Sequence, residues 1–227
     1  MLSLNCNQLK VTRQSVGESF TNFIVKLNDL FMGDRAYGRY KSMKYVTDNG
    51  GFFITRFMNK AFTLKDENGC KINMINKVQN IRIGEIREFN AFVSSGNSDP
   101  LSVRFCILKM SQKEGDKAVK AAIKEQKKKQ RKIDNETIEL HRYIILMSSL
   151  PVDIKAEDIL ELYRMRWQIE IAFKRLKSIF GLGHLPKKDI VSGRAWLHGK
   201  IFYAILVQMI ADESYLFSPW GYPIKKR

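Results

Sequence analysis

The stretch from Tyr163 to Lys177, YRMRWQIEIAFKRLK, decides how the chain is read. At about 100° per residue, Leu162, Met165, Ile169, Phe173, Leu176 and Phe180 fall on one stripe of a helix roughly 80° wide. Tyr163, Arg166, Glu170 and Lys177 fall on a second stripe, about 60° wide, beside the first. The spacing predicts a helix over 154–180 that docks through its apolar stripe. Along its margin it presents a phenol, a guanidinium, a carboxylate and an ammonium. A carboxylate holds hard divalent cations, and Arg, Lys and Tyr grip phosphate oxygens. The same residues also suit a solvated face with Arg166–Glu170 and Glu170–Lys174 pairs at i,i+4.

Outward from this helix, the 227-residue chain suits one sizeable domain or one domain with a large insertion. Hydrophobic residues make up 44%, enough for a real core and against a disordered polypeptide. Lys and Arg number 39 against 23 Asp and Glu, and the net charge of +16 points to a polyanion, nucleic acid first. The longest apolar run, Ile201 to Ala211, is too short to span a bilayer, and no leader pattern opens the chain. Cys6, Cys70 and Cys106 are odd in number and widely spaced, which suits a reducing compartment. His141, His184 and His198 show no zinc spacing among themselves or with the cysteines.

In chain order, the first twelve residues read as a strand, and Ser15-x-x-Glu18 as a capping box opening a helix with apolar positions Val16, Phe20, Phe23, Ile24, Leu27 and Phe31. Leu30 to Gly33 reads as a short buried strand ending at Asp34. A helix over 37–47 stops at Asn49-Gly50-Gly51, and Phe52 to Phe57 (FFITRF) is a strand. This order demands a parallel pair, and ligands bind beyond the carboxyl ends of such strands, where Asp34 sits. Alone, Asp34 equally suits an ordinary turn. From Phe62 to Met110 short alternating segments predict an antiparallel insertion, with Leu101, Val103, Phe105 and Ile107 on one face. Ser111-x-x-Glu114 caps a helix to about Ile133 containing KEQKKKQRK, a cationic face suited to phosphate contact. Arg142 to Ser149 is a buried strand, and Arg194 to Glu213 a last helix apolar enough to pack across the core.

Tyr163-x2-Arg166-x3-Glu170-x6-Lys177 resembles the Y-R-E-K motif of DDE transposases of the insertion-sequence-four type. Four specified residues match by chance on the order of once in 10⁵ start positions. YRMRWQIEIAFKRLK is similar to that family's helix nearly throughout. MSSLP resembles the strand before it, GDRAYG the segment carrying the second catalytic aspartate, and FFITRF, with Arg56, the strand that follows. The resemblance implies an RNase H-like mixed sheet with flanking helices and an inserted antiparallel β subdomain. Residues 1–59 and 141–227 would form the two parts of the catalytic domain, and 60–140 the insertion with its basic helix. It further implies two Mg²⁺ or Mn²⁺ ions held by two aspartates and a glutamate. Asp34 would be the second aspartate and Glu170 the glutamate. Tyr163, Arg166, Lys177 and, more weakly, Arg56 would contact DNA.

The implied activity is metal-dependent cleavage and strand transfer at transposon ends. DNA ends and target are the implied partners, with a homodimer on DNA, no membrane, and a bacterial cytoplasmic, nucleoid-associated location. The family's first aspartate lies on an opening strand, before the helix preceding Asp34. Here the first acidic residue is Glu18 and the first aspartate is Asp29, so the chain reads as N-terminally truncated with its opening strand missing. An alternative is a non-catalytic fragment that binds transposon DNA or the intact transposase. A third is an unrelated basic nucleic-acid-binding protein.

Overall fold

The computed structural model describes residues 19–128, 130, 134–178, 181 and 189–213. Two compact units divide the chain, the first ending at Tyr163 and the second beginning at Arg164.

The first unit is built on one six-stranded sheet: β1 (Leu30–Gly33), β2 (Phe52–Arg56), β3 (Thr63–Lys65), β4 (Ile86–Ser94), β5 (Leu101–Lys109) and β6 (Tyr143–Ser148), in the order β1-β2-β6-β5-β4-β3. β1 and β2 are parallel, with Leu30 opposite Phe52 and Gly33 opposite Thr55. Their connection is the helix α1 (Tyr40–Asp48), as a parallel pair requires. The other pairings are antiparallel. The strands from 60 onward therefore extend the same sheet, with β5 bonded directly to β6.

Period-2 alternation explains why the central strands are apolar at nearly every position. Phe53, Phe105, Ile107, Ile145 and Met147 face one side, where α1 contributes Tyr40, Met43 and Val46. Ile54, Cys106 and Leu146 face the other, where the first turns of α5 (Ala156–Ser178) contribute Ala156, Ile159, Leu160 and Tyr163. Phe89 of β4 stacks on its register partner Phe105, with ring centroids 5.0 Å apart. Both faces are covered, so these strands stay buried on both sides.

Two glycines shape the turn after β1. A Cβ on Gly33 would lie 2.5 Å from Tyr37 Cβ and 2.9 Å from Phe20. On Gly38 it would lie 2.9 Å from the Arg56 carbonyl oxygen. The segment 34–39 can fold over the end of β2 only because both side chains are missing.

Several expected boundaries change. Over its described residues, the helix expected from Ser15 is a single 3₁₀ turn, Phe20–Asn22, after which Phe23 is extended. Tertiary partners take the groups a helix would use: Phe20 N–H donates to Ser42 Oγ at 2.9 Å, and Tyr45 O–H donates to the Phe23 carbonyl at 3.0 Å. Asn28, at φ 65°, then turns the chain so that its N–H donates to the Gly50 carbonyl. Residues 1–18 lie outside the described ones, and with them the first strand and the Ser15 capping box. α1 starts at Tyr40 rather than 37, because a turn in which Gly38 N–H donates to the Arg35 carbonyl occupies the preceding residues.

Ser111 caps its helix as read: its Oγ accepts from Glu114 N–H at 3.4 Å, while the Glu114 carboxylate meets the Ser111 hydroxyl at 2.7 Å rather than its backbone N–H. Its helix, α3 (Gln112–Lys128), ends before a turn at Gln130, and the short α4 (Asn135–Leu140) follows. Earlier in the chain, α2 (Met74–Val78) caps the insertion, its Val78 in the core.

Of the stripe read on α5, the structure describes the side chains of Leu162 and Met165. Ala156, Ile159, Leu160 and Tyr163 are buried, Leu162 is half-buried, and Met165 is 53% exposed. The side chains of Ile169, Phe173, Leu176 and Phe180, the rest of that stripe, lie outside the described ones. In the second unit, α6 (Ile190–Glu213) carries the exposed side chains of Ile190, Val191, Phe202, Tyr203, Met209 and Ile210. A helix that is apolar all round buries no more than the part that meets a partner.

Candidate active site at the carboxyl end of the parallel pair

Asp34 follows Gly33, and Arg56 pairs beyond Thr55, so both stand at the carboxyl end of the parallel strands. The Asp34 carboxylate is half-buried, and its Oδ1 accepts the Ala36 N–H at 2.9 Å. That bond fixes the carboxylate at the mouth of the turn and leaves Oδ2 without a hydrogen-bond partner among the described residues. A hard oxygen donor, oriented at one atom and open at the other, fits a divalent cation. Among the described residues no group of three or more His, Cys, Asp and Glu side chains comes together to hold one. The Glu170 side chain is not among those described.

Beside Asp34 the structure gathers two guanidinium groups and an imidazole. Arg35, Arg56 and His141 line a cavity of about 30 Å³, with Asn59, Thr137 and Tyr143 on its wall. That is room for an ordered water, not for an organic ligand. Arg35 Nη2 lies 3.3 Å from His141 Nδ1, and Nη1 lies 3.5 Å from Nε2. Burial, then the nearby Arg56, pulls the Arg35 guanidinium down to about 10, against the opposing pull of Tyr163, Glu125 and Asp34. Burial, then Arg35 and Arg56, pulls His141 down to about 4, so its ring is neutral at pH 7.

Tyr163, first of the Y-R-E-K positions, is 7% exposed and packs with Ile54, Leu146 and Ile159. It also acts electrostatically on Arg35, which brings the start of the motif to the end of the sheet that carries Asp34. The loop before α5 is held by Arg104, whose Nη1 donates to the carbonyls of Pro151 at 3.0 Å and Ile154 at 2.6 Å. Arg166, half-buried, and Lys177, exposed, belong to the second unit with Glu170. α5 is continuous from Ala156 to Ser178, so the four motif positions keep their helical spacing.

α3 carries a second cationic surface. Lys113, Lys117, Lys120, Lys124, Lys127 and Lys128 all reach solvent. At about 100° per residue they share a face roughly 100° wide. The buried Gly115 and Ala122 lie opposite, against the body of the unit.

Sequence comparison decides the family. Residues 5–206 match the transposase DDE domain. The chain belongs to that family. It is 26% identical over 216 residues to InsL, a putative transposase for insertion sequence element IS186A of Escherichia coli, covering 92% of this chain and 58% of InsL. It is 27% identical over 206 residues to the transposase for IS1151 of Clostridium perfringens, covering 82% of this chain and 42% of the relative. The transposase for IS231F of Bacillus thuringiensis matches at 24% over 195 residues, 78% of this chain and 40% of the relative. The chain thus spans about half the length of these curated relatives. No solved structure matches it. Its mixed sheet with flanking helices is the RNase H-like fold of DDE transposases. No helix among the described residues is long and apolar enough to cross a membrane.

Arg35 and His141 escaped the motif reading. Arg35 had a signal, since it adjoins Asp34 in GDRAYG. His141 had none, because only the fold brings β6's entry to the end of β1.

Proposed function

We propose that the chain is the catalytic region of an insertion-sequence-four type transposase, acting on DNA at transposon ends and target by in-line displacement at phosphorus. The observation that carries this reading is the position of Asp34 at the carboxyl end of β1, beside Arg35 and Arg56, in a DDE-domain chain. Asp34 and Glu170 are the residues that would hold divalent cations, two Mg²⁺ or Mn²⁺ in the complete site. When bound, such cations polarise the phosphoryl group and stabilise charge on the attacking and leaving oxygens. The chain's own residues bind and orient the strand. Arg56, Arg166 and Lys177 take phosphate oxygens, and Tyr163 acts from its buried position at the Arg35 end. The lysine face of α3 tracks the backbone without reading sequence. A homodimer on DNA in the bacterial nucleoid is the assembly this implies.

A second reading rests on the carboxylate count. Two of the family's three acidic ligands are recognisable here, Asp34 and Glu170, and two carboxylates hold two cations poorly. On that reading the 227-residue polypeptide binds transposon DNA or an intact transposase and does not cut. The test is cleavage of end-containing DNA by the purified chain with Mg²⁺ or Mn²⁺, with Glu170→Gln as control. We expect no nicking by the chain alone, and nicking once an aspartate-bearing opening strand is supplied in cis or as a peptide. Metal-dependent cleavage by the chain alone that vanishes in Glu170→Gln would overturn the requirement for that strand. Failure to cut in every arm would leave only the binding role.

A further inference from the structure

The Arg35 guanidinium keeps one buried donor open. Its Nε is buried and has no hydrogen-bond partner, and among the described residues the side chain forms no ion pair. A neutral imidazole accepts at one nitrogen only, so at most one of the two Arg35–His141 contacts is a full hydrogen bond. A second guanidinium, that of Arg56, lines the same cavity. A buried donor left open calls for an acceptor, which a bound anion would supply. Planar guanidinium forks match phosphate oxygens, and the sheet end that carries Asp34 is where a phosphodiester would have to lie.

We propose that Arg35 is a DNA-phosphate binding residue, acting with Arg56 on one backbone phosphodiester at the Asp34 end of the sheet, and that His141 positions its guanidinium. This rests on the transposase reading and extends it to two residues outside the Y-R-E-K motif. The cavity between the side chains is too small to enclose a phosphate, so the anion sits across its mouth, where Arg35, Arg56 and His141 are each part-exposed. His141 suits the positioning role because a neutral ring accepts from Arg35 without adding charge, whereas a carboxylate there would neutralise the site.

The test measures binding of a short fluorescein-labelled DNA duplex by anisotropy across a salt series, using the full 227-residue chain and its Arg35→Gln, Arg35→Lys and His141→Asn variants. Circular dichroism melts check that each variant folds. Removing one phosphate contact should lower affinity roughly tenfold in Arg35→Gln and reduce the log–log salt slope by about 0.9. Arg35→Lys should keep the slope but not the full affinity, because the charge stays and the fork is absent. His141→Asn should lower affinity severalfold with the slope unchanged, the mark of a positioning residue. A folded Arg35→Gln chain with wild-type affinity and slope overturns the proposal.

If Arg35→Gln fails to fold, inorganic phosphate titrated into the wild-type chain decides the matter. Saturable shifts of the His141 ring resonances support the site, and unmoved resonances overturn it. Arg166→Ala separates the levels of inference. Weakened duplex binding in Arg166→Ala alone sinks the Arg35 site and leaves the transposase reading standing. A wild-type chain that does not bind DNA sinks both.

Discussion

Arg104, on β5, donates from Nη1 to the carbonyl of Ile154 at 2.6 Å and so ties the central sheet to the loop that launches the motif helix. Its Nη1 also serves Pro151, and its Nε donates to Glu88 Oε2 at 3.1 Å across the β4–β5 pair. Arg104 is 6% exposed while Glu88 is about half-exposed, so the carbonyl contacts, shielded from water, outweigh the partly screened ion pair. Arg104→Met should lower stability by about 2–4 kcal/mol, chiefly from buried carbonyls left without donors. Urea unfolding followed by circular dichroism checks this, and a decrease under about 0.5 kcal/mol would show that water replaces the guanidinium.

Gly38→Ala tests the close approach of the GDRAYG turn to β2. The added methyl would meet the Arg56 carbonyl oxygen at 2.9 Å, a backbone atom that cannot swing aside. We expect destabilisation of about 1–3 kcal/mol, with DNA affinity falling as Arg56 is displaced. An unchanged melting temperature would mean that the turn relaxes freely.

Asp34→Asn isolates charge from shape. The amide oxygen can still accept the Ala36 N–H, so the fold should melt within about 1 °C of the wild type. Mn²⁺ binding, read by calorimetry, should weaken by an order of magnitude or more, because a neutral oxygen replaces a charged one. Equal Mn²⁺ affinity in the two proteins would remove Asp34 from the ligand set.

His141 makes stability depend on pH. Its folded value of about 4 lies below the ordinary 6.5, held down by burial and then by Arg35 and Arg56. Above pH 6.5 the ring is neutral folded or unfolded and adds no pH dependence. As pH falls from 6.5 toward 4 the unfolded chain takes up the proton first, and stability declines. The decline is at most about 3 kcal/mol, and about 1–2 after discounting for solvent at the part-exposed ring. Asp134, held down to about 2 mainly by Lys60, gives up its contribution only at lower pH. Melting curves of His141→Asn between about pH 4 and 7 should therefore shift less with pH than those of the wild type, and parallel behaviour would contradict the assignment.

The lysine face of α3 should govern salt dependence rather than sequence preference. Replacing Lys120, Lys124 and Lys127 by Gln should reduce the log–log salt slope by up to about 0.9 for each phosphate no longer neutralised. The ratio of affinities for transposon ends and unrelated duplex should stay nearly constant. A changed ratio would mean that α3 reads bases.

The sequence by itself determined the local elements with strong signals and the family. Leu30–Gly33 ended its strand where read, the Ser111–Glu114 box capped its helix, and the strand–helix–strand order made β1 and β2 parallel. Each depends on contacts between near neighbours: alternation, capping and the reach of a crossover. The spacing of Tyr163, Arg166, Glu170 and Lys177 likewise survives on one continuous helix. Only the tertiary structure decided that the backbone of Phe20 and Phe23 bonds to α1 and that Arg35 meets His141 beside Arg56. These outcomes depend on what stands opposite a residue across the sheet, and a partner more than a hundred positions away leaves no periodic trace. A guanidinium held beside a neutral imidazole is fixed by the desolvation and donor balance of the folded interior, which no local spacing encodes.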